Sequence, residues 1–136
     1  MKYDIGKTKD TGYQFGKRKT FPLRAEVVWE KLFSEAGMRI WLGEGATGPL
    51  EEDEFYFSQK GISGKVRLIR HHSHIRMSWK KPDWPNESTL QIRVIPNGWR
   101  TIVSFHQERL LDEQQREEME DYWEEKFESL TAYLSS

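Results

Sequence analysis

Met119, Trp123, Phe127, Leu130 and Leu134 follow one another at intervals of 4, 4, 3 and 4 along the last stretch of the chain. That spacing predicts one long amphipathic helix, because side chains three and four residues apart share a helical face. Asp112 opens the helix, Gln115 is placed for a capping-box contact, and Asp112 and Glu113 suit the positive end of the helix dipole. A stripe of this bulk has to be covered by another apolar surface. What precedes it in the chain supplies one.

Five short strand-like runs lie between residues 55 and 107. Phe55 and Phe57 flank Tyr56 in the first. Val66, Leu68 and Arg70 alternate with Arg67 and Ile69 in the second, after the Gly61–Gly64 turn. Ile75, Met77 and Trp79 alternate with Arg76, Ser78 and Lys80 in the third, the cleanest period of two in the chain. Leu90, Ile92 and Val94 mark the fourth, which Pro96-Asn97-Gly98 closes as a hairpin turn. In the fifth, Thr101, Val103, Phe105 and Gln107 read as the inward set, which sends His106 outward. An earlier strand runs from Gly12 to Phe21 and stops at Pro22. Two short helices follow it, Arg24–Phe33 and then Glu35–Leu42, the second capped by Ser34 and closed by Gly43. Residues 1–11 are polar and are expected to fray.

The predicted architecture is α+β: a strand, two short helices, an antiparallel meander and a long C-terminal helix gripped by a curved sheet. One domain of 136 residues accounts for the length. The chain has no cysteine, which excludes disulfides, thiolate metal sites and cysteine nucleophiles. Its 21 basic and 22 acidic residues leave a net charge of −1, without the basic excess of a nucleic-acid binder. No apolar run approaches the roughly 18 residues of a membrane span, and the N-terminus lacks a secretory apolar stretch, so a soluble cytoplasmic protein is expected.

Aromatic residues make up an unusual share of the apolar content: six Trp, five Tyr and seven Phe beside only four Ala and five Val. Flat rings close space less completely than small aliphatic side chains. Composition leaves two readings open, an aromatic-lined cavity or a core built from few large pieces.

The order of several short motifs resembles the START-like, polyketide-cyclase superfamily with its helix-grip fold. More narrowly, the chain is similar to bacterial homologues of the C-terminal domain of the ninety-kilodalton heat-shock ATPase activator. The resemblance runs from Lys17 to Leu134. It rests on Val28-Trp29, Trp41-Leu42-Gly43, Gly64-Lys65-Val66, Met77-Ser78-Trp79, Gly98-Trp99-Arg100-Thr101, Tyr122-Trp123 and Leu130-Thr131-Ala132-Tyr133-Leu134. It implies a sheet of about six strands around the last helix. It also implies a hollow between helix and sheet, where the superfamily places lipids, polyketides or hormones.

Three further features bear on chemistry. His71-His72-Ser73-His74 has spacing compatible with a metal site, but Ser58–Pro82 holds no carboxylate, and a solvated hairpin turn accounts for the cluster with less. Ser58–Pro82 is basic while Glu51–Glu54 and Asp112–Glu128 are acidic, which reads as mutual neutralisation across the surface or as a basic face for an anionic partner. His106 is the one histidine near an apolar strand, and no acid–base pair, phosphate loop or nucleophile elbow accompanies it. The expected function is therefore binding without catalysis. A small hydrophobic or aromatic molecule would lie among Trp41, Phe55, Phe57, Met77, Trp79, Trp123 and Phe127, with no metal or cofactor. The resemblance adds two alternatives, contact with a chaperone ATPase and cyclase-type chemistry.

Overall fold

The structure, a computed structural model, describes residues 7–8, 12–46 and 48–135. In chain order its elements are β1 (Lys7–Thr8), β2 (Gly12–Phe21), α1 (Ala25–Leu32), α2 (Glu35–Trp41) and β3 (Phe55–Phe57). Then come β4 (Ser63–Arg70), β5 (His74–Trp79), β6 (Ser88–Asn97), β7 (Arg100–Leu110) and α3 (Glu113–Ser135). The strands form one antiparallel sheet in the order β1-β2-β7-β6-β5-β4-β3. This is the expected helix-grip architecture. The fraying expected of residues 1–11 falls outside the described residues except at Lys7–Thr8, which pairs with Tyr13 and Gly12.

Local chemistry places the helices. Ser34 accepts from the Gly37 N–H at 3.1 Å and donates to the Lys31 carbonyl at 2.7 Å, so one hydroxyl ends α1 and starts α2. Gly43 follows α2 at φ +123°, a backbone conformation that a side chain would strain. At the start of α3 the Gln115 N–H donates to Asp112 Oδ1 at 2.8 Å, and Gln115 Oε1 accepts from the Leu111 N–H at 3.0 Å. The capping box thus reaches one residue further back than its usual form. The Gln115 amide also pairs with Asn86 through two hydrogen bonds, at 2.7 and 3.1 Å.

The inward faces of β5, β6 and β7 carry the alternation read from the sequence. Ile75, Met77, Trp79, Leu90, Ile92, Val94, Val103 and Phe105 are all buried, and α3 lays Met119, Trp123, Phe127, Leu130 and Leu134 against them. A chain of buried polar groups crosses the same space. Trp123 Nε1 donates to Gln107 Oε1 at 2.8 Å, Gln107 Nε2 donates to Ser88 Oγ at 2.9 Å, and that hydroxyl donates to the Trp79 carbonyl at 2.6 Å. Partners at both ends of its amide offset the desolvation of the buried glutamine.

The β4–β5 turn holds His71 and His72, both exposed, and His72 sits at φ +67°. Their rings lie about 6.1 Å from that of Trp29. Among the described residues no three His, Asp or Glu side chains come together as a metal site requires. Replacing His71 by Ala, His72 by Asn and His74 by Ser together is expected to change stability by less than about 1 kcal/mol, the scale of a surface ring contact. Thermal unfolding of the triple variant checks this, and stoichiometric zinc or nickel in the wild type alone would overturn it.

Candidate functional site

The structure brings together five of the seven residues that sequence reasoning assigned to a binding site, and it makes them core. Trp41, Met77, Trp79, Trp123 and Phe127 are at most 2% exposed. Phe105 stands at their centre, with ring centroids 5.0 Å from Trp123, 5.2 Å from Phe127 and 6.0 Å from Trp41. Trp79 and Trp123 lie 6.1 Å apart. These are edge-on and tilted contacts of touching rings, so at this level the space between α3 and the sheet is occupied by the protein's own side chains.

Phe55 and Phe57 are corrections. They are 77% and 54% exposed, and Tyr56 takes the interior between them. Successive side chains of a strand point to opposite faces, and here the inward one is Tyr56, whose hydroxyl donates to the Ser78 carbonyl across β4. Burial first, then the charges of Tyr122 and Glu87, hold this phenol well above its usual pKa. Tyr122 is likewise raised, by burial first, and its hydroxyl donates to the Trp41 carbonyl at 3.2 Å. Both phenols are hydrogen-bonded to backbone and stay protonated, so neither is poised as a base.

An open cavity of about 540 Å³ lies one layer outward, between α2 and the loop that follows it. Phe33, Met38, Ala46 and Pro49 give it apolar walls, and Gly43, Gly45 and Gly48 leave its loop side without bulk. A second hollow of about 210 Å³ shares Gly48 and Pro49 and is lined further by Phe55, Tyr56 and Val66, so Phe55 is the one predicted residue of the seven that borders it. The charged groups of the larger cavity answer one another. Arg39 meets Glu35 at 2.8 Å and Glu44 at 3.3 Å. None of the seven predicted residues lines the larger cavity. After α2, three glycines fall within residues 43–48, but spacing carries no sign of the room they leave.

His106 faces away from the core, as its register predicts, and its Nε2 lies 2.8 Å from Gln14 Oε1. Buried polar side chains among the described residues include Ser58, Ser78, Ser88, Thr101, Gln107 and Gln115, with the Tyr56 phenol, while Tyr122 is half-buried. No described helix is long and apolar enough to cross a membrane.

Comparison with known proteins agrees with the fold described above. None of the curated proteins compared matches the sequence. Among solved structures, CalU16 from Micromonospora echinospora is similar, with a TM-score of 0.80 at 20% identity over 90% of this chain and 76% of that one. PFC0360w, described as an HSP90 activator from Plasmodium falciparum, has a TM-score of 0.76 at 17% identity, over 89% of this chain and 95% of that one. The Aha1 dimer from Colwellia psychrerythraea gives 0.75 at 14% identity, over 90% and 96%. At such identities the likeness is one of fold. The family model described as activator of Hsp90 ATPase homolog 1-like protein matches residues 22–135, and the chain belongs to that family.

Proposed function

We propose that this protein binds a small, mainly apolar molecule in the cavity between α2 and residues 43–46 and 48–49 that follow it, and that it does not transform it. The observation that carries this reading is the cavity itself. Its volume of about 540 Å³ falls within the roughly 300–1,000 Å³ of small-molecule sites. Phe33, Met38, Ala46 and Pro49 give it an apolar share of wall beside a comparable polar share, and Arg39 bridges Glu35 and Glu44, so an apolar ligand would be held by shape and burial against those four side chains. Affinity of about micromolar follows from that. The paired state of Arg39 with Glu35 and Glu44 supports binding over turnover.

Native mass spectrometry of protein from its own host, followed by titration with flavonoids, polyketides and fatty acids while following chemical shifts, tests the reading. Shifts are expected at residues 33–50, with the Ile75–Trp79 strand responding little. Ala46→Trp, which fills the cavity from its wall, is expected to weaken binding at least about tenfold while leaving the fold intact. Shifts confined to other segments, or chemical conversion of any panel member, would overturn it.

A second reading, contact with a chaperone ATPase, is favoured by one specific observation. Phe55 and Phe57 stand exposed on β3, at the edge of the sheet, where large apolar side chains mark interaction surfaces. The likeness to the Plasmodium activator points the same way. A pull-down with the chaperone, repeated with Phe55→Ser and Phe57→Ser, separates the two readings.

A further inference from the structure

The face of the sheet turned away from α3 carries a line of basic residues, three of them arginines, that neither the core nor the cavity uses. Cross-strand partners share one face of a sheet. The pairings run Arg70↔His74, His74↔Arg93, Arg93↔Ser104 and Ser104↔Arg18. Five adjacent strands therefore set Arg70, His74, Arg93 and Arg18 in a single row, interrupted only by a hydroxyl. With strands about 4.8 Å apart, the row is about 19 Å long. Its members come from four strands scattered through the sequence, so no linear motif announces it.

The three arginines stand at alternate places in this row, two strands apart, and the row supplies no carboxylate to answer them. Arg18 and Arg93 are exposed, and among the described residues neither forms an ion pair. Arg70, at the end of the row, meets Glu52 only at 3.8 Å. The adjacent row shows the contrast. There Arg76 is held by Glu108 at 3.0 Å and by Gln91 at 3.3 Å. The crowding registers on His74, whose pKa is lowered by burial first and then by Arg93 and Arg70. The opposite side of the molecule is acidic, with Glu117, Asp121, Glu124, Glu125 and Glu128 exposed along α3.

We propose that this row is a docking surface for an acidic protein segment, a short extended stretch of a partner chain that carries several Asp or Glu side chains. A planar guanidinium takes a carboxylate through two parallel hydrogen bonds, and three arginines in a line offer three such forks. About six residues of extended chain span about 20 Å, the length of the row. The chemistry fits other polyanions less well. The exposed rings of Phe55, Phe57 and Trp99 all lie off the row, so no stacking platform for single-stranded nucleic acid accompanies it. The acidic helix repels a long polyanion at a distance while a short local segment escapes it. The row itself holds no large apolar side chain to enter a bilayer.

The test uses the full chain and a fluorescein-labelled octaglutamate peptide, followed by anisotropy at low salt. Wild type is expected to bind, and to lose most of that binding between about 50 and 300 mM salt as the charges are screened. The double substitution R18E/R93E is expected to weaken binding at least about tenfold, and R18Q/R93Q by less, with unchanged thermal unfolding in both. K60E, at an exposed lysine outside the row, is expected to change it less than about twofold. No binding by wild type, equal binding by R18E/R93E, or tighter binding of an oligonucleotide or a phosphatidylserine vesicle at the same residues would each overturn the proposal.

Discussion

Replacing Trp123 by alanine is expected to cost about 3–5 kcal/mol of stability, the range for losing a large core aromatic. Trp123 is 1% exposed and touches the rings of Trp79, Phe105 and Tyr122. Its indole N–H is also one end of the buried polar chain, so the alanine variant leaves Gln107 Oε1 without its donor as well as opening a void. Trp123→Phe separates the two effects. It keeps most of the apolar contact and removes the hydrogen bond, for an expected loss of about 1–3 kcal/mol. Urea unfolding of the three proteins reads both numbers. A midpoint that hardly moves for Trp123→Ala would show that the ring cluster does not hold α3 to the sheet.

Gly64→Ala should be as damaging, for the opposite reason. A Cβ at Gly64 would lie 1.9 Å from the Ser78 carbonyl oxygen, 2.6 Å from its carbon and 2.7 Å from the Tyr56 hydroxyl. Two of those atoms are backbone of the neighbouring strand, so relief requires β4 and β5 to part. We expect a loss of about 3 kcal/mol or more, at the upper end for overpacking. For a chain of this length that is a fall of about 10 °C in Tm. Removing the hydroxyl with Tyr56→Phe is expected to cost about 1–2 kcal/mol alone and not to rescue Gly64→Ala, because the Ser78 backbone still stands in the way. Rescue would mean that the hydroxyl, not the strand, makes the conflict.

Both predictions depend on how far the sequence could be read. The stripe on α3 and the alternation of β5, β6 and β7 were legible because each strand offers one apolar face and one polar face. A strand with that contrast has only one register that buries the right set. The run Phe55-Tyr56-Phe57 has no contrast, since all three side chains are large rings. Its inward ring, Tyr56, meets a carbonyl twenty-two residues away at Ser78, which local pattern cannot see. β1 is two residues long and has no periodicity to detect. The candidate site was legible only in part for a related reason. Convergence of Trp41, Met77, Trp79, Trp123 and Phe127 on one interior followed from spacing. Whether they enclose a hollow or fill it depends on Phe105 and on how the rings tilt against one another. The cavity beside α2 is a matter of shape, made by a loop with little bulk, and its apolar walls come from segments that read as ordinary helix and turn.

The pairing of β2 with β7 has a consequence for how the chain reaches this structure. Phe21 lies opposite Thr101, and Tyr13 lies opposite Leu110. Every hydrogen bond of that ladder joins the beginning of the described chain to a point near its end, and the loop between them must close before the ladder gains anything. On the ribosome β2 is made early and then waits, with Phe15 and Phe21 uncovered, until β7 has emerged. The hairpins from β3 to β7 assemble from near neighbours and have no such delay. Folding in milliseconds to seconds is the expected scale for a sheet closed this way, and the waiting strand is the place where a chaperone or an aggregate would first find the nascent protein.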